Sequence, residues 1–229
     1  MTFLLCDAVI FDLDGVLVDS RAVIERHWKR WAGQVGLDFE RIMERAHGMR
    51  TIDTIRLVAP HLDAEVETAR FEGVEAEDVD GVAAIAGAVR LFSTLPDARR
   101  AIVTSGPQKT ARARLQKAGL RVPDVLVTAE QVSMGKPAPE GYSLAARRLG
   151  LRPGDCVVVE DAPAGIEAGR SAGMRVIAVA STHPPEELTA ADFIVPTLDH
   201  IEIEAGGGPL KGADAAAVCL RLRAGGGPR

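Results

Sequence analysis

The chain has 229 residues, of which 47% are hydrophobic and 26% are charged, and its formal net charge is −5 at pH 7. This length can bury a substantial hydrophobic core and still leave residues for a small second module. The negative net charge argues against nucleic acid or an anionic membrane surface as the main partner. The three cysteines are widely spaced and odd in number, which excludes a disulfide framework, and no pair has metal-ligand spacing.

The N-terminal residues carry no basic region and no apolar run long enough for a signal peptide or a membrane span. We therefore expect a cytoplasmic protein that binds neither nucleic acid nor membrane. We expect it to be a monomer or a weak homodimer.

Short apolar runs recur along the chain, and helical patterns lie between most of them. The first run is Ala8–Phe11, and the others fall at 101–104, 125–127, 156–159, 176–179 and 193–195. These runs are uninterrupted, which is typical of strands buried on both faces in a parallel sheet covered by helices. Helices are predicted over 110–118, 139–149 and 164–172, each followed closely by a glycine. This alternation predicts an α/β fold with a doubly wound parallel sheet.

Residues 20–85 interrupt the alternation, because they contain no convincing strand and only amphipathic helical patterns such as 22–35 and Phe39–Ala46. We interpret this segment as a helical domain inserted after the first strand, with the acidic stretch 72–81 as a hinge or loop. The α/β core is then predicted to comprise 1–19 and 86–205. Residues 206–229 are predicted to form a C-terminal tail, with a flexible break at 206–209 and a disordered end at 224–229.

Polar side chains follow the first four predicted strands. Because the carboxyl ends of parallel strands meet at one edge of the sheet, we expect these side chains to lie close together. In chain order they are Asp12 and Asp14, then Thr104, Ser105 and Gly106, then Lys136, then Glu160 and Asp161.

This combination of groups fits phosphoryl transfer. Clustered carboxylates repel one another unless a divalent cation joins them, and oxygen ligands favour Mg²⁺. An aspartate can attack phosphorus, and a second carboxylate can protonate the leaving alkoxide and then activate water. Thr104, with the amides of Ser105 and Gly106 near a helix N-terminus, can hold phosphate oxygens, and Lys136 can neutralise the phosphate.

Each group taken alone has a purely structural interpretation. An isolated Asp-x-Asp is usually a turn or a cap, Thr104-Ser105-Gly106 is usually a strand-to-helix turn, and a lone lysine is usually solvated. Glu160-Asp161 could likewise be a helix N-cap. For the site to be absent, all of these structural interpretations would have to hold at once, at successive strand ends. The groups taken together therefore favour a catalytic site.

The same segments resemble the motifs of the haloacid dehalogenase (HAD) superfamily and cover most of the chain. Motif I resembles Asp12-x-Asp14-Gly-x-x-x-Asp19-Ser20, and motif II resembles Val103-Thr104-Ser105-Gly106. Motif III resembles Gly135-Lys136-Pro137-x-Pro139-x-x-Tyr142, and motif IV resembles Val159-Glu160-Asp161-Ala162-Pro163-Ala164-Gly165. The helices inserted after motif I resemble the C1 cap of this family, a lid over the site.

The resemblance implies a role for each matching residue. Asp12 is the nucleophile, and Asp14 is the general acid and base. Mg²⁺ is held by Asp12, the backbone carbonyl of Asp14, and Asp161, with Glu160 as direct or outer-shell support. Thr104 and Lys136 bind the phosphate and stabilise the developing charge. The resemblance also implies that the motif I strand lies between the strands of motifs II and IV.

Within the superfamily, the presence of Asp14 disfavours the dehalogenase branch. The β-phosphoglucomutases carry a cap histidine five residues after the position of Asp19, where this chain has Ile24. His27 lies three residues further on and could share the same helix face, so a mutase remains open.

The cap segment 46–55 resembles the glycerol-phosphate and 2-deoxyglucose-6-phosphate phosphatases. By that resemblance, His47 and Arg50 reach the phosphate or hydroxyls of the substrate. We therefore expect a Mg²⁺-dependent phosphatase that acts on a small phosphorylated sugar or polyol. The alternatives are a phosphomutase of the β-phosphoglucomutase type and, more remotely, a catalytically silent binding protein on the same scaffold.

Overall fold

A computed structural model describes residues 2–76, 78–204 and 218–223 of the chain. The helices are α1 Arg21–Val35, α2 Phe39–Ala46, α3 Thr51–Val58, α4 Ala64–Glu75, α5 Ala88–Thr94, α6 Gln108–Lys117, α7 Glu140–Leu149 and α8 Pro163–Ser171. The strands are β1 Thr2–Cys6, β2 Ala8–Phe11, β3 Val18–Asp19, β4 Ala83–Ala84, β5 Arg100–Val103, β6 Leu126–Val127, β7 Cys156–Glu160, β8 Arg175–Val179, β9 Phe193–Val195, β10 Ile201–Glu204 and β11 Val218–Leu222. No helix in these ranges is long and apolar enough to cross a membrane.

The main sheet has six parallel strands in the order β6-β5-β2-β7-β8-β9. All four residues of β2 are buried, as the uninterrupted apolar run predicts. The strand β2 lies between β5 and β7, which confirms the predicted central place of the motif I strand. The predicted α/β fold is confirmed, and the carboxyl ends of β2, β5 and β7 bring the candidate residues to one edge.

Helices α1 to α4 form a second layer with an apolar cluster of its own, which includes Trp28, Trp31, Ile42, Ile55 and Phe71. The stretch 72–81, expected to be a hinge or loop, is helical at its start, because α4 continues to Glu75.

The two segments that lead into and out of these helices are paired in an antiparallel ribbon. Val18 lies opposite Ala84, and Asp19 lies opposite Ala83. The strand β4 has only two residues, which is too short to produce the alternating pattern by which a strand is recognised in a sequence.

The segment predicted as a tail contains a strand. Val218–Leu222 forms β11, the middle strand of an antiparallel sheet in the order β1-β11-β10, and the side chains of Val218 and Leu220 are buried. This apolar run is short and follows a glycine-rich segment. Nothing in the local sequence therefore indicates that it pairs with β1, which lies far from it in the sequence. The flexible break predicted at 206–209 and the disorder predicted at 224–229 lie outside the described residues.

Candidate active site

The buried centre of the site is a lysine between two carboxylates. Lys136 Nζ contacts Asp12 Oδ1 and lies 2.6 Å from Glu160 Oε1. The Tyr142 hydroxyl donates to the same Glu160 oxygen at 2.7 Å. The other oxygen of Glu160 accepts from the backbone amides of Asp161 and Ala162, at 2.9 and 3.2 Å. The ammonium group therefore links the predicted nucleophile to a carboxylate whose position is fixed from several sides.

A glycine makes room for this carboxylate. Gly165 lies in the first turn of α8, and a Cβ atom there would be 1.7 Å from Glu160 Oε1. Any side chain at this position would displace Glu160 and, with it, the hydrogen bond to Lys136.

Three buried carboxylates could hold a metal ion. Oxygen atoms of Asp12, Glu160 and Asp161 lie within 4.8 Å of one another. Burial, with the nearby carboxylates of Glu160 and Asp14, raises the pKa of Asp12 to about 8 even though Lys136 acts in the opposite direction. Burial and the charges of Glu160 and Asp12 likewise raise the pKa of Asp161 well above its usual value. One lysine cannot balance three carboxylates, and a hard divalent cation with oxygen ligands fits this excess of negative charge.

Asp161 is held on its outer side by the loop after β8. The Thr182 hydroxyl donates to Asp161 Oδ2, and the ring nitrogen Nδ1 of His183 lies 3.0 Å from the Asp161 carbonyl oxygen. Gly15 has a φ of +87°, and a Cβ there would lie 2.0 Å from Asp161 Oδ2. The glycine after Asp14 therefore allows the motif I turn to approach the motif IV carboxylate closely.

The carboxylate of Asp14 has one well-bound oxygen and one less-bound oxygen. Oδ1 accepts from the Ser20 hydroxyl at 2.6 Å and from Arg114 Nη1 at 2.8 Å. Among the residues that the structure describes, only the Thr104 hydroxyl donates to Oδ2, at 3.4 Å. The side chain of Asp14 is not part of the carboxylate cluster, which leaves its predicted metal contact through the backbone carbonyl as a prediction.

The residues after β5 lie at the floor of a cavity of about 310 Å³ between the sheet edge and the inserted helices. Thr104, Ser105 and Gly106 line this cavity together with Asp12, Asp14 and Asp161. The Gly106 amide donates to the Thr104 hydroxyl at 3.0 Å, and the Ser105 hydroxyl donates to the Gly48 carbonyl at 2.7 Å. The hydroxyl of Ser105 thus binds the cap.

Of the two predicted cap residues, only His47 lines the cavity. Its ring meets the ring of His183 edge to face at 5.3 Å, and burial, with the charge of His183, lowers the pKa of His47.

Arg50 is bound both to its own helix and to the core. Its Nε and Nη2 atoms donate to Asp53 at 2.7 and 3.1 Å, and its Nη1 and Nη2 atoms donate to the carbonyls of Val132 and Ser133 at 2.9 and 3.0 Å. Arg50 ties the start of α3 to a loop of the core. It lies outside the 310 Å³ cavity and lines a smaller one of about 20 Å³ together with Thr104, Ser105 and Lys136, so its predicted contact with the substrate stays a prediction.

The structure also separates the two residues that bear on the mutase alternative. Ile24 lines the cavity, whereas His27 does not. His27 Nε2 lies 2.9 Å from Asp78 Oδ2, and its ring packs edge-on against Phe71 at 6.1 Å. His27 is therefore a buried structural residue of the cap.

Four residues with roles in the site were not predicted as site residues: Tyr142, Thr182, Glu75 and Arg114. Tyr142 lies within the motif III pattern, and Thr182 follows β8 by a few residues, so the rule of strand ends could have found it. Glu75 and Arg114 lie on helices, and no local pattern distinguishes them from solvated charges.

Comparisons with known proteins agree with this geometry. Residues 6–173 match the model of the haloacid dehalogenase-like hydrolase family. Hexitol phosphatase A of Escherichia coli is 44% identical over 203 residues, which cover 86% of this chain and 94% of that protein. Glycerol-1-phosphate phosphohydrolase 2 of Saccharomyces cerevisiae is 31% identical over 213 residues, which cover 88% of this chain and 85% of that protein.

Among solved structures, a hydrolase from Pseudomonas syringae superposes with a TM-score of 0.74 at 26% identity, over 83% of this chain and 94% of that one. The family match, the two curated relatives and this superposition confirm the resemblance that the four motifs carry. The chain therefore belongs to the haloacid dehalogenase-like hydrolase family.

Proposed function

We propose that this protein is a Mg²⁺-dependent phosphatase that hydrolyses a small phosphorylated sugar or polyol through an aspartyl-phosphate on Asp12. The observation that carries the proposal is the buried contact of Lys136 with both Asp12 and Glu160 beside the cavity. The names of the relatives, a hexitol phosphatase and a glycerol-1-phosphate phosphohydrolase, support the substrate class.

The reaction takes place in two steps. In the first step, a carboxylate oxygen of Asp12 attacks phosphorus, the bond to the leaving oxygen breaks, and Asp14 donates a proton to that oxygen. In the second step, Asp14 takes a proton from a water molecule, whose oxygen attacks phosphorus and releases Asp12 and inorganic phosphate.

The hydrogen bonds of Asp14 indicate which of its oxygens carries the proton. Ser20 and Arg114 donate to Oδ1, which is then saturated with donors. In the described part of the chain, Oδ2 accepts only from the Thr104 hydroxyl, at the long distance of 3.4 Å, so it has room for a proton. In our proposal Oδ2 is therefore the acid in the first step and the base in the second.

The predicted ligand set fits Mg²⁺, because it consists of oxygen atoms that carry an excess of negative charge. Asp12, the Asp14 carbonyl and Asp161 would hold the ion, with Glu160 in support. The bound ion would supply positive charge that lets an anionic phosphate approach the anionic Asp12. Lys136 and Thr104 are the protein groups that would bind the phosphate and offset its negative charge.

The structure supports a phosphatase in preference to a phosphomutase. The position of the mutase histidine is held by Ile24, which cannot transfer protons, and His27 is bound to Asp78 outside the cavity. With no histidine at the position of the mutase base, we expect water to be the acceptor of the phosphoryl group.

A test of the proposal is a screen of phosphorylated sugars and polyols that measures the release of inorganic phosphate. We expect release from glycerol 3-phosphate or a hexose or hexitol 6-phosphate without any bisphosphate activator. Conversion of β-glucose 1-phosphate to glucose 6-phosphate at a comparable rate would overturn the assignment.

A further inference from the structure

A carboxylate of the cap lies unexpectedly deep in the cavity. Glu75 is the last residue of α4, and its side chain is buried and lines the cavity. Arg114 of α6 donates from Nη2 to Glu75 Oε1 at 2.8 Å and from Nη1 to Asp14 Oδ1 at 2.8 Å. A single guanidinium group thus separates a cap residue from the general acid.

This position is unfavourable for a negative charge, since Asp14 lies beside it and an anionic phosphate is the proposed ligand. Burial raises the pKa of Glu75, and Arg114 opposes that effect. Arg114 is already paired with Asp14, and a buried ion pair adds little stability over an apolar side chain of the same size. The fold alone therefore does not account for a carboxylate here.

The second oxygen of Glu75 offers an acceptor to a ligand. In the described part of the chain, Glu75 Oε1 accepts from Arg114, and Oε2 has no hydrogen-bond partner. An ionised carboxylate accepts strongly from a hydroxyl group and repels a second anion. Apolar side chains complete the cap side of the cavity and suit the C–H groups of a polyol chain; they are Ile24, Trp28, Met43 and Phe71.

The position of Glu75 also indicates which part of a substrate it would contact. Asp14 protonates the leaving oxygen in the proposed mechanism, and Arg114 spans from Asp14 to Glu75. Glu75 is therefore close to the carbons that follow the leaving oxygen. Arg21, the other arginine along the cavity, is exposed at its rim and donates to the carbonyls of Ser181 and Thr182 at 3.4 and 3.2 Å.

We propose that Glu75, held in place by Arg114, determines specificity by accepting a hydrogen bond from a leaving-group hydroxyl and by excluding leaving groups with a second negative charge. This inference rests on the proposed phosphatase function and specifies its substrate as the monophosphate of a neutral polyhydroxylated molecule.

Glycerol 3-phosphate and 3-phosphoglycerate form a matched pair for the test, because the first carries a neutral CH₂OH group where the second carries a carboxylate. We expect the wild-type protein to favour glycerol 3-phosphate in kcat/KM by about 10-fold or more. This measurement needs no variant, and a wild-type protein that hydrolyses both equally well would overturn the inference.

The variant Glu75→Gln keeps the size of the side chain and removes its charge. We expect the ratio of kcat/KM between the two substrates to fall by about 10-fold, because the polyol meets a neutral amide in place of a charged acceptor and the acid loses its repulsion. A purely structural role for Glu75 would lower both values together and leave the ratio unchanged, which would also overturn the inference.

The matched control is Glu72→Gln, which makes the same change one turn earlier on α4 and outside the cavity. It should leave the ratio unchanged, and inhibition by inorganic phosphate should report an intact phosphate site in both variants. The outcome is separable from the proposed function itself. A wild-type protein that releases no phosphate from any monoester, para-nitrophenyl phosphate included, would instead disprove the phosphatase assignment.

Discussion

The two walls of the active-site cavity are built on different principles. The core wall takes side chains such as Asp12, Thr104 and Asp161 from successive strand ends. Lys136 is buried next to this wall and bonds both Asp12 and Glu160. On the cap wall, single polar side chains from helix ends and loops, such as His47 and Glu75, lie among apolar side chains. Changes in the core wall should therefore affect every substrate, whereas changes in the cap wall should affect either the choice of substrate or the attachment of the cap.

The largest effect is expected at the nucleophile. The variant Asp12→Asn should lower turnover of every phosphate monoester by at least about 10³-fold, because an amide is a far weaker nucleophile than a carboxylate. Phosphate release from several substrates measures the effect, and the exposed Asp124→Asn variant is the control. Appreciable turnover by a folded Asp12→Asn protein would disprove the mechanism.

A strong effect on metal binding is expected at Asp161. Wild-type activity should vanish in a chelator and return with Mg²⁺, and Ca²⁺ should inhibit because it prefers longer bonds and more ligands. Asp161→Asn should weaken Mg²⁺ binding by about 10-fold or more, since one of three clustered carboxylates is lost.

Calorimetric titration and the rise in Tm on adding Mg²⁺ measure this binding without relying on activity. Equal affinity in the wild-type and Asp161→Asn proteins would place the metal elsewhere. Full activity of the wild-type protein in excess chelator would exclude the metal site altogether.

A moderate effect, independent of the substrate, is expected from Arg50→Ala. Loss of the guanidinium group removes its bonds to Asp53 and to the carbonyls of Val132 and Ser133, which should lower the free energy of unfolding by about 2 kcal/mol. Because Arg50 ties the cap to the core and does not line the cavity, kcat/KM should fall by a similar factor for polyol and aryl phosphates.

The matched control is Arg56→Ala on the same helix, where an exposed ion pair with Glu65 should contribute less than about 0.5 kcal/mol. A loss confined to the polyol phosphates would show that Arg50 contacts the leaving group after all, as the sequence predicts.

The smallest effect is a pH dependence at Glu72. Burial, with the charges of Glu75 and Glu130, raises the pKa of Glu72 to about 7. A carboxyl group with a raised pKa in the folded state stabilises the fold at low pH and loses that contribution as the pH rises through the folded-state value. Glu72→Gln should therefore stabilise the protein at pH 8 relative to wild type, by about 1 kcal/mol after allowance for solvent screening.

Denaturant unfolding at pH 5 and pH 8 measures this difference. The gain from Glu72→Gln should shrink at pH 5, where the wild-type carboxyl is protonated in the folded state. A gain of equal size at both pH values would mean that the pKa of Glu72 is unperturbed.

The core wall could be predicted from the sequence because parallel strands deliver their following residues to a common edge. Asp12 and Thr104 come directly after β2 and β5, and Glu160 ends β7, so the order of the strands was enough to bring them together. Lys136 follows β6 only after a loop, and its motif indicated its place. The spacing within the motifs then distinguished this site from a set of unrelated turns and caps.

The cap wall could not be predicted in the same way, because the direction of a side chain at a helix end depends on how the helices pack. Arg50 turns to Asp53 and the core loop, whereas Glu75, in a stretch expected to be a hinge or loop, turns into the cavity. The pairing of β11 with β1 was hidden for a related reason, since no local pattern reports a contact between distant parts of the chain.

That pairing has a consequence for the order in which the protein can be assembled on the ribosome. The strand β1 is synthesised before all the other described strands, and its hydrogen-bonded neighbour in the sheet β1-β11-β10 is synthesised after all of them. The strands of the parallel sheet and the cap helices all precede β11 and can pack while the chain is still growing. Leu4 lies opposite Leu220, so this sheet can close only after β11 has been synthesised, later than the parallel sheet and the cap.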